Sequence, residues 1–253
     1  MQMNNKTVLI TGASRGIGLQ IAKKLAFQDY KLALIASSSD SIESLNQSEL
    51  KKQTDVSVFQ LNLSDNQAVF SFLENWNVPL WGIVNNAGIC KTHALEEKGD
   101  DPLEEVLATN LIGPYQLTKG LLPFLSMPGR IINISSQLGQ EGRAGYAAYC
   151  ASKFGLIGMT KCWAKELGAK GITVNAICPG WVDTEMSKID MQRMAVEQGV
   201  SLESFYQEIC EPLELKRFNS TTEVSNLVSF LLSEEASGIT GRDWLMQTVW
   251  NQL

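Results

Sequence analysis

TVLITGASRGIGLQIAKKL, residues 7–25, is the stretch on which the reading of the fold turns. Residues 7–10 are β-branched or aliphatic throughout, the composition of a short strand covered on both faces. They run into Thr11-Gly12-Ala13-Ser14-Arg15-Gly16-Ile17-Gly18, after which Ile17, Ile21, Ala22 and Leu25 recur at helical spacing. Strand, glycine turn and helix in this order form the first unit of a nucleotide-binding sheet. The glycines permit a tight turn, close approach to a diphosphate and close packing of helix on strand, while the helix amino end faces the negative charge. The spacing is GxxxGxG rather than GxGxxG, so the common dinucleotide fingerprint is absent. A plain turn is the alternative, and the flanking strand and helix weigh against it.

The same alternation continues. A second strand at 32–36 ends in Ala36 and Ser37-Ser38-Ser39. An acidic residue there would bind the ribose hydroxyls of NAD and repel a 2′-phosphate. With Ser37 in that place and Arg15 in the glycine turn as a phosphate partner, NADP(H) is preferred and NAD(H) is the alternative. A third strand at 56–61 leads to Asn62 and Leu63, with Ser64 or Asp65 capping a helix at 68–73; Asn62 either meets an adenine edge or forms a turn. A fourth strand at 80–84 opens into Asn85-Asn86-Ala87-Gly88. The fifth, at 130–134, opens into Ser135 and Ser136, and the sixth, at 172–177, into Cys178-Pro179-Gly180-Trp181-Val182-Asp183-Thr184. With a seventh strand at 244–249, the chain predicts an α/β fold: a Rossmann-like, doubly wound sheet of about seven parallel strands with helices on both faces.

Between the fourth and fifth strands the pattern predicts one helix over 102–122, with Asn110 in its middle and Pro114 removing the bond to the Asn110 carbonyl. Asn110 is either a structural compromise or a group that bends or hydrates the helix beside a ligand crevice. Residues 185–215 predict two short amphipathic helices joined near Gly199, inserted beyond a strand end as a lid or substrate wall, or else as a packing or subunit contact. Their Met and aromatic residues suggest an apolar wall suited to an aliphatic or cyclic ketone. Asn219 to Glu223 predict a cap for a helix at 224–232.

The chemistry concentrates in SSQLGQEGRAGYAAYCASKFGLIG, residues 135–158. Tyr149 and Lys153 stand four apart after a glycine-rich loop, so a helix stacks them on one face. A neighbouring ammonium favours the phenolate and lowers a tyrosine pKa that is otherwise about 10, making Tyr149 an acid or base usable near neutrality. Spacing alone carries little, since such pairs are common on helix surfaces.

Composition bounds the rest. At 253 residues the chain supports one sizeable core, read as a single unit over 1–253. Only 19% of residues are charged, which points to buried subunit faces and a homo-oligomer, dimer or tetramer. The net charge of −6 and the lack of a basic tract argue against nucleic acid. Five scattered cysteines and one histidine, His93, support neither a disulfide framework nor a metal site. MQMNNKTVLITG holds no charged segment followed by an apolar core, and no run is long enough to span a bilayer, so no membrane association and a cytoplasmic location are expected.

Taken together, TGASRGIG at 11–18, NNAG at 85–88, Tyr149 with Lys153 as YxxxK, Ser136 thirteen residues before the tyrosine, Asn110, and Pro179-Gly180 with Thr184 resemble the short-chain dehydrogenase/reductase family over essentially the whole chain. Within it the chain is similar to 3-oxoacyl carrier-protein reductases and related ketoreductases. The resemblance implies hydride transfer between NAD(P)H and a ketone or secondary alcohol. It implies Tyr149 as general acid/base, Lys153 as ribose ligand and tuner of the tyrosine, Ser136 on the carbonyl oxygen and Asn110 on a proton-relaying water. By the same resemblance, Gly12, Ser14, Arg15, Gly16, Ile17, Gly18, Ser37, Asn62, Leu63, Asn86, Ala87, Gly88, Tyr149, Lys153, Pro179, Gly180, Val182 and Thr184 contact the cofactor. Gln247-Thr248-Val249-Trp250 departs from the glycine pair with which many members follow the last strand. A non-catalytic nucleotide sensor is the competing class; it needs the glycine turn but no proton path.

Overall fold

Strands with almost no charge form where both faces of a sheet are covered. In the computed structural model, which describes residues 6–246, these are β1 (Thr7–Thr11), β2 (Lys31–Ala36), β3 (Val56–Gln60), β4 (Leu80–Asn85), β5 (Leu125–Ile134), β6 (Ile172–Pro179) and β7 (Asp243–Met246). They make one parallel sheet in the order β3-β2-β1-β4-β5-β6-β7. The helices are α1 (Gly16–Phe27), α2 (Ser39–Gln47), α3 (Leu50–Gln53), α4 (Asn66–Glu74), α5 (Leu103–Leu107), α6 (Gly113–Leu121), α7 (Ala147–Leu167), α8 (Glu185–Gln198), α9 (Leu202–Cys210) and α10 (Thr221–Leu232).

Strand alternation sorts the core into two layers. Val8, Ile10, Leu32 and Leu34 meet Ile21 and Leu25 of α1 and Val224, Val228 and Leu231 of α10 on one face. Leu9, Ile35, Ile83 and Val174 meet Val69 of α4, Leu117 and Leu121 of α6 and Trp163 and Leu167 of α7 on the other. Each fully buried aliphatic side chain contributes about 1.5–3 kcal/mol. The chain leaves β1 toward β2 and β3, then returns to place β4 on the other side of β1, so a crevice opens between the ends of β1 and β4.

A line of polar side chains crosses this core between β4 and β5. Asn85 Nδ2 donates to Thr118 Oγ1 at 2.9 Å and to Asn133 Oδ1 at 2.8 Å, and Asn133 Nδ2 donates to Thr160 Oγ1 at 2.8 Å. All four residues are buried, and Asn85 and Asn133 face each other in the β4–β5 register.

Several boundaries differ from the sequence reading. The strand expected at 130–134 starts five residues earlier, because Pro128-Gly129 reads as a turn yet lies inside β5. The single helix expected over 102–122 is divided: a π-turn, Ala108–Ile112, separates α5 from α6, and the Gly113 N–H bonds to the Ala108 carbonyl. Pro114 has no N–H for the Asn110 carbonyl, so the ladder widens by a residue at this point. The 185–215 segment does form two helices joined at Gly199, which takes φ 68°. Its apolar residues, however, turn on one another: Met191, Met194, Phe205, Ile209 and Phe218 are buried together with Trp181 against them. They build a small core of their own, while Met186 and Ile189 of α8 stay exposed. Ser220 and Glu223 form the expected capping box, for a helix that begins at Thr221. Gln247, Thr248, Val249 and Trp250 lie outside the described residues, as does the far end of the predicted last strand. Among the described residues no helix is long and apolar enough to cross a membrane.

Candidate active site

The glycine turn is shaped by close contacts. Gly12 takes φ 64°, a left-handed conformation that disfavours a side chain, and a Cβ there would lie 2.9 Å from the Ala87 Cα. At Gly18 a Cβ would fall 2.1 Å from the Gly12 carbonyl oxygen. Asn86 staples this turn to the end of β4. Its Nδ2 donates to the carbonyls of Thr11 and Gly12 at 3.0 and 3.1 Å, while Thr11 Oγ1 accepts from the backbone N–H groups of Asn86 and Ala87. Thus Asn86 holds the cradle through its side chain. Helix α1 starts at Gly16 with no side-chain cap on its N–H groups and no acidic residue in its first turn, which suits it to an anion.

Around that turn lie the other predicted positions. Gly88 sits where a Cβ would come within 3.2 Å of Asn110 Oδ1 and 3.5 Å of Lys153 Nζ, so the loop after β4, the π-turn and α7 converge. Arg15 Nη1 is 3.0 Å from Glu185 Oε2, at the start of α8, joining the glycine turn to the segment that follows Pro179, Gly180, Val182 and Thr184. Thr184 caps α8 in a capping box with Ser187. Ser14 and Ile17 are half-buried in the turn. Ser37 is exposed just past β2, and Ser38 caps α2. Asn62 Oδ1 accepts from the N–H and hydroxyl of Ser64 in a local turn; Leu63 beside it is buried. Of the two cap candidates, Asp65 is the one that bonds α4.

The structure brings Asn110, Ser136, Tyr149 and Lys153 together at the carboxyl ends of β4 and β5. Asn110 is buried in the π-turn, its Oδ1 accepting from Ile89 N–H and its Nδ2 donating to the Ile89 carbonyl and to Ser152 Oγ. These bonds explain a polar residue in mid-helix: it clamps the loop after Gly88. Lys153 is buried and donates to the Ile134 carbonyl at 2.9 Å, with Nζ 5.5 Å above the Tyr149 ring centroid. Burial lowers its pKa to about 8. Ser136 Oγ accepts from the Leu138 N–H and hydrogen-bonds the Tyr149 phenol.

One expectation is reversed here. The Tyr149 phenol is pushed up, first by burial and then by Cys90, against the lowering hydrogen bond to Ser136. Lys153 Nζ lies over the ring and donates to the Ile134 carbonyl, and burial prevails at the phenol. Tyr149 is consequently a neutral phenol at neutral pH, a group that holds a proton to give.

Sequence reasoning missed two groups. Cys90 is within electrostatic reach of Lys153 and Asp190: burial, reinforced by Asp190, raises its thiol to about 12, while Lys153 pulls the other way. Its place two residues after NNAG was the available signal. The second is a cluster linking α7 to α8. The Tyr146 hydroxyl donates to Asp190 Oδ2 at 2.7 Å and accepts from Arg193 Nη2 at 3.1 Å, and Arg193 Nη2 also donates to Asp190 Oδ1 at 2.6 Å. No strand-end pattern marks these three residues.

Comparison with known proteins bears on this geometry. The short chain dehydrogenase family model matches residues 6–194. The chain is 35% identical over 245 residues to the 3-oxoacyl-acyl-carrier-protein reductase FabG of Staphylococcus epidermidis, covering 94% of this chain and 96% of that one. To its counterpart in Salmonella typhimurium it is 34% identical over 248 residues, covering 95% of each. Among solved structures, a variant of actinorhodin polyketide ketoreductase with NADPH superposes with a TM-score of 0.87 at 30% identity over 97% of both chains. L-sorbose reductase from Gluconobacter frateurii, complexed with NADPH and L-sorbose, gives 0.87 at 25% identity over 96% of this chain and 95% of that one.

Proposed function

Because the chain belongs to the short chain dehydrogenase family and is an oxidoreductase of that family, we propose that it interconverts a ketone and a secondary alcohol with NADP(H), Tyr149 being the proton donor in reduction. The observation that carries this reading is the convergence of Ser136, Tyr149 and Lys153 beside a glycine turn that fits a dinucleotide. Gly12 and Gly18 let the turn close tightly on Ala87 and Asn86, where a Cβ would clash, and the uncapped amino end of α1 offers N–H groups to a diphosphate. When bound, the nicotinamide supplies or receives the hydride.

The chain's own residues do the rest. The turn from Gly12 to Gly18 cradles the diphosphate, with Ser14, Gly16 and Ile17 at its rim. Arg15 and Ser37 face the adenosine ribose and favour a 2′-phosphate, Asn62 and Leu63 border the adenine, and Ala87, Gly88, Pro179, Gly180, Val182 and Thr184 frame the nicotinamide half. Ser136 donates to the substrate oxygen, and Tyr149, neutral at the pH of turnover, delivers its proton there as negative charge develops. Lys153 binds the ribose and stabilises the phenolate left behind; Asn110 fixes the loop that positions Gly88 and Ile89. The chain acts as one unit over 1–253, with 185–215 closing over the substrate, in the cytoplasm and as a homo-oligomer.

A more specific reading is favoured by one observation, the 35% identity to a 3-oxoacyl-acyl-carrier-protein reductase: the substrate is a 3-oxoacyl thioester. The net charge of −6 offers no evident basic face for an acidic carrier, which leaves small ketones ahead.

A panel of ketones, alcohols and 3-oxoacyl thioesters, followed by nicotinamide absorbance with both cofactors, tests these readings. Ketone-dependent oxidation of NADPH, abolished in Tyr149→Phe while cofactor binding persists, is the expected result. Full activity of Tyr149→Phe would remove the proposed acid.

A further inference from the structure

The α8–α9 unit is tied to the catalytic helix at its outer edge, and the tie ends one turn before Tyr149. Helices α8 and α9 bury their apolar faces on each other and on Trp181 and Phe218, whose rings stack at 5.2 Å. The unit is joined to the sheet by the chain around 181–184 and 219, where Val182 bridges to Asn219 and the backbones of Asp183 and Trp181 bond it on either side. A pair of helices with its own core and a narrow connection can swing as a body. Its angle is then set by side-chain ties: the exposed Arg15–Glu185 pair at the start of α8 and a cluster on Tyr146.

Resting on the oxidoreduction reading above, we infer that Tyr146 is a positioning residue of the reaction, its hydroxyl latching Asp190 and Arg193 so that α8 stays closed beside Tyr149. The phenol of Tyr146 uses both of its hydrogen-bonding capacities in this cluster, giving to the carboxylate at 2.7 Å and accepting from the guanidinium at 3.1 Å. The ring is buried, with the Arg143 guanidinium 4.9 Å from its centroid and Met194 Sδ 3.8 Å from its hydroxyl. Arg193 is braced from the far side by Glu197 at 2.6 Å. Tyr146 is the residue at which α7 begins, three positions before Tyr149 in its first turn. The latch therefore sets the space between α8 and the reacting phenol, and the same Asp190 carboxylate reaches Cys90 and Tyr149 electrostatically.

The unit folds on its own core, so losing the latch opens it without unfolding it. Tyr146→Phe removes one charge-assisted bond and one acceptor, enough to shift a closing equilibrium by on the order of tenfold.

The experiment is kinetics and amide hydrogen exchange on the full chain with Tyr146→Phe, Asp190→Ala, the double variant, and Asp190→Asn, which keeps an acceptor. Expected are a KM for ketone raised on the order of tenfold with kcat within about threefold, unchanged NADPH affinity, and faster exchange across 185–198 than in the unaltered chain. The double variant is expected to be no worse than either single one, and Asp190→Asn to recover part of the loss. Exchange across 185–198 equal to the unaltered chain overturns the latch, whatever KM does. Faster exchange with unchanged KM overturns the positioning role. Absence of ketone reduction in the unaltered chain would instead fell the oxidoreduction reading, which the exchange data do not depend on.

Discussion

Replacing Gly18 by Ala tests the turn on which the fold and the cofactor site both rest. The added Cβ would lie 2.1 Å from the Gly12 carbonyl oxygen and 2.6 Å from Asn86 Nδ2. Ordinary contact requires α1 to retreat by more than an ångström, or Asn86 to abandon its bonds to Thr11 and Gly12. Two lost hydrogen bonds at about 1 kcal/mol each and strain of about 1–3 kcal/mol give a destabilisation of about 3–5 kcal/mol. For a chain of this size that lowers the thermal midpoint by roughly 6–20 °C. The same retreat moves the amino end of α1 away from the diphosphate, and an ångström of misplacement is expected to weaken NADPH binding at least tenfold on the order-of-magnitude scale of such errors. Circular dichroism on heating and fluorescence transfer to the nicotinamide read the two effects. Gly142→Ala is the control, since nothing lies within 4 Å of the added Cβ. A Gly18→Ala protein within about 1 kcal/mol of the unaltered chain, with undiminished NADPH affinity, would refute the geometry.

Two further outcomes follow from charges at the site. Glu185 occupies Arg15 across an exposed contact, so Glu185→Gln should free the guanidinium and raise the preference for NADPH over NADH about two- to fivefold, most at low salt, as read from the two dissociation constants. Lys153 is held at about 8 in the fold, below an ordinary value of 10.5, so between these pH values the unfolded chain binds more protons and stability rises with pH. Relative to Lys153→Met, the unaltered chain should therefore gain stability from pH 8 to 10.5 in urea titrations. A flat difference would count against the buried ammonium.

How much was legible follows from where each signal sits. The sheet could be read because buried parallel strands are nearly free of charge and end in small polar residues, as at Asn85 and Ser135. Ser136, Tyr149 and Lys153 were legible because one strand end and one helix face bring them together. The Tyr146–Asp190–Arg193 cluster was not, because its members are 44 and 47 residues apart and meet only where α8 folds back against the start of α7. The burial of the Met-rich segment was only partly legible for a related reason: amphipathic spacing shows that a face is apolar without showing what covers it. The Tyr149 pKa was misjudged because the spacing to Lys153 reports proximity, while desolvation and the direction of the ammonium depend on the whole site. The π-turn was half legible, since Pro114 announced a lost bond.

The buried chain of amides and hydroxyls from Thr118 through Asn85 and Asn133 to Thr160 has a consequence for assembly of the fold itself. Asn85 and Asn133 can exchange their bond only when β4 and β5 are in the observed alignment, and a slip by one residue would strand polar groups in a dry interior. Thr160 stands on α7 seven positions beyond Lys153, so the amide that checks strand alignment also indexes the rotation of that helix. A misregistered pairing of these two strands thus carries its own penalty, one that does not depend on any ligand.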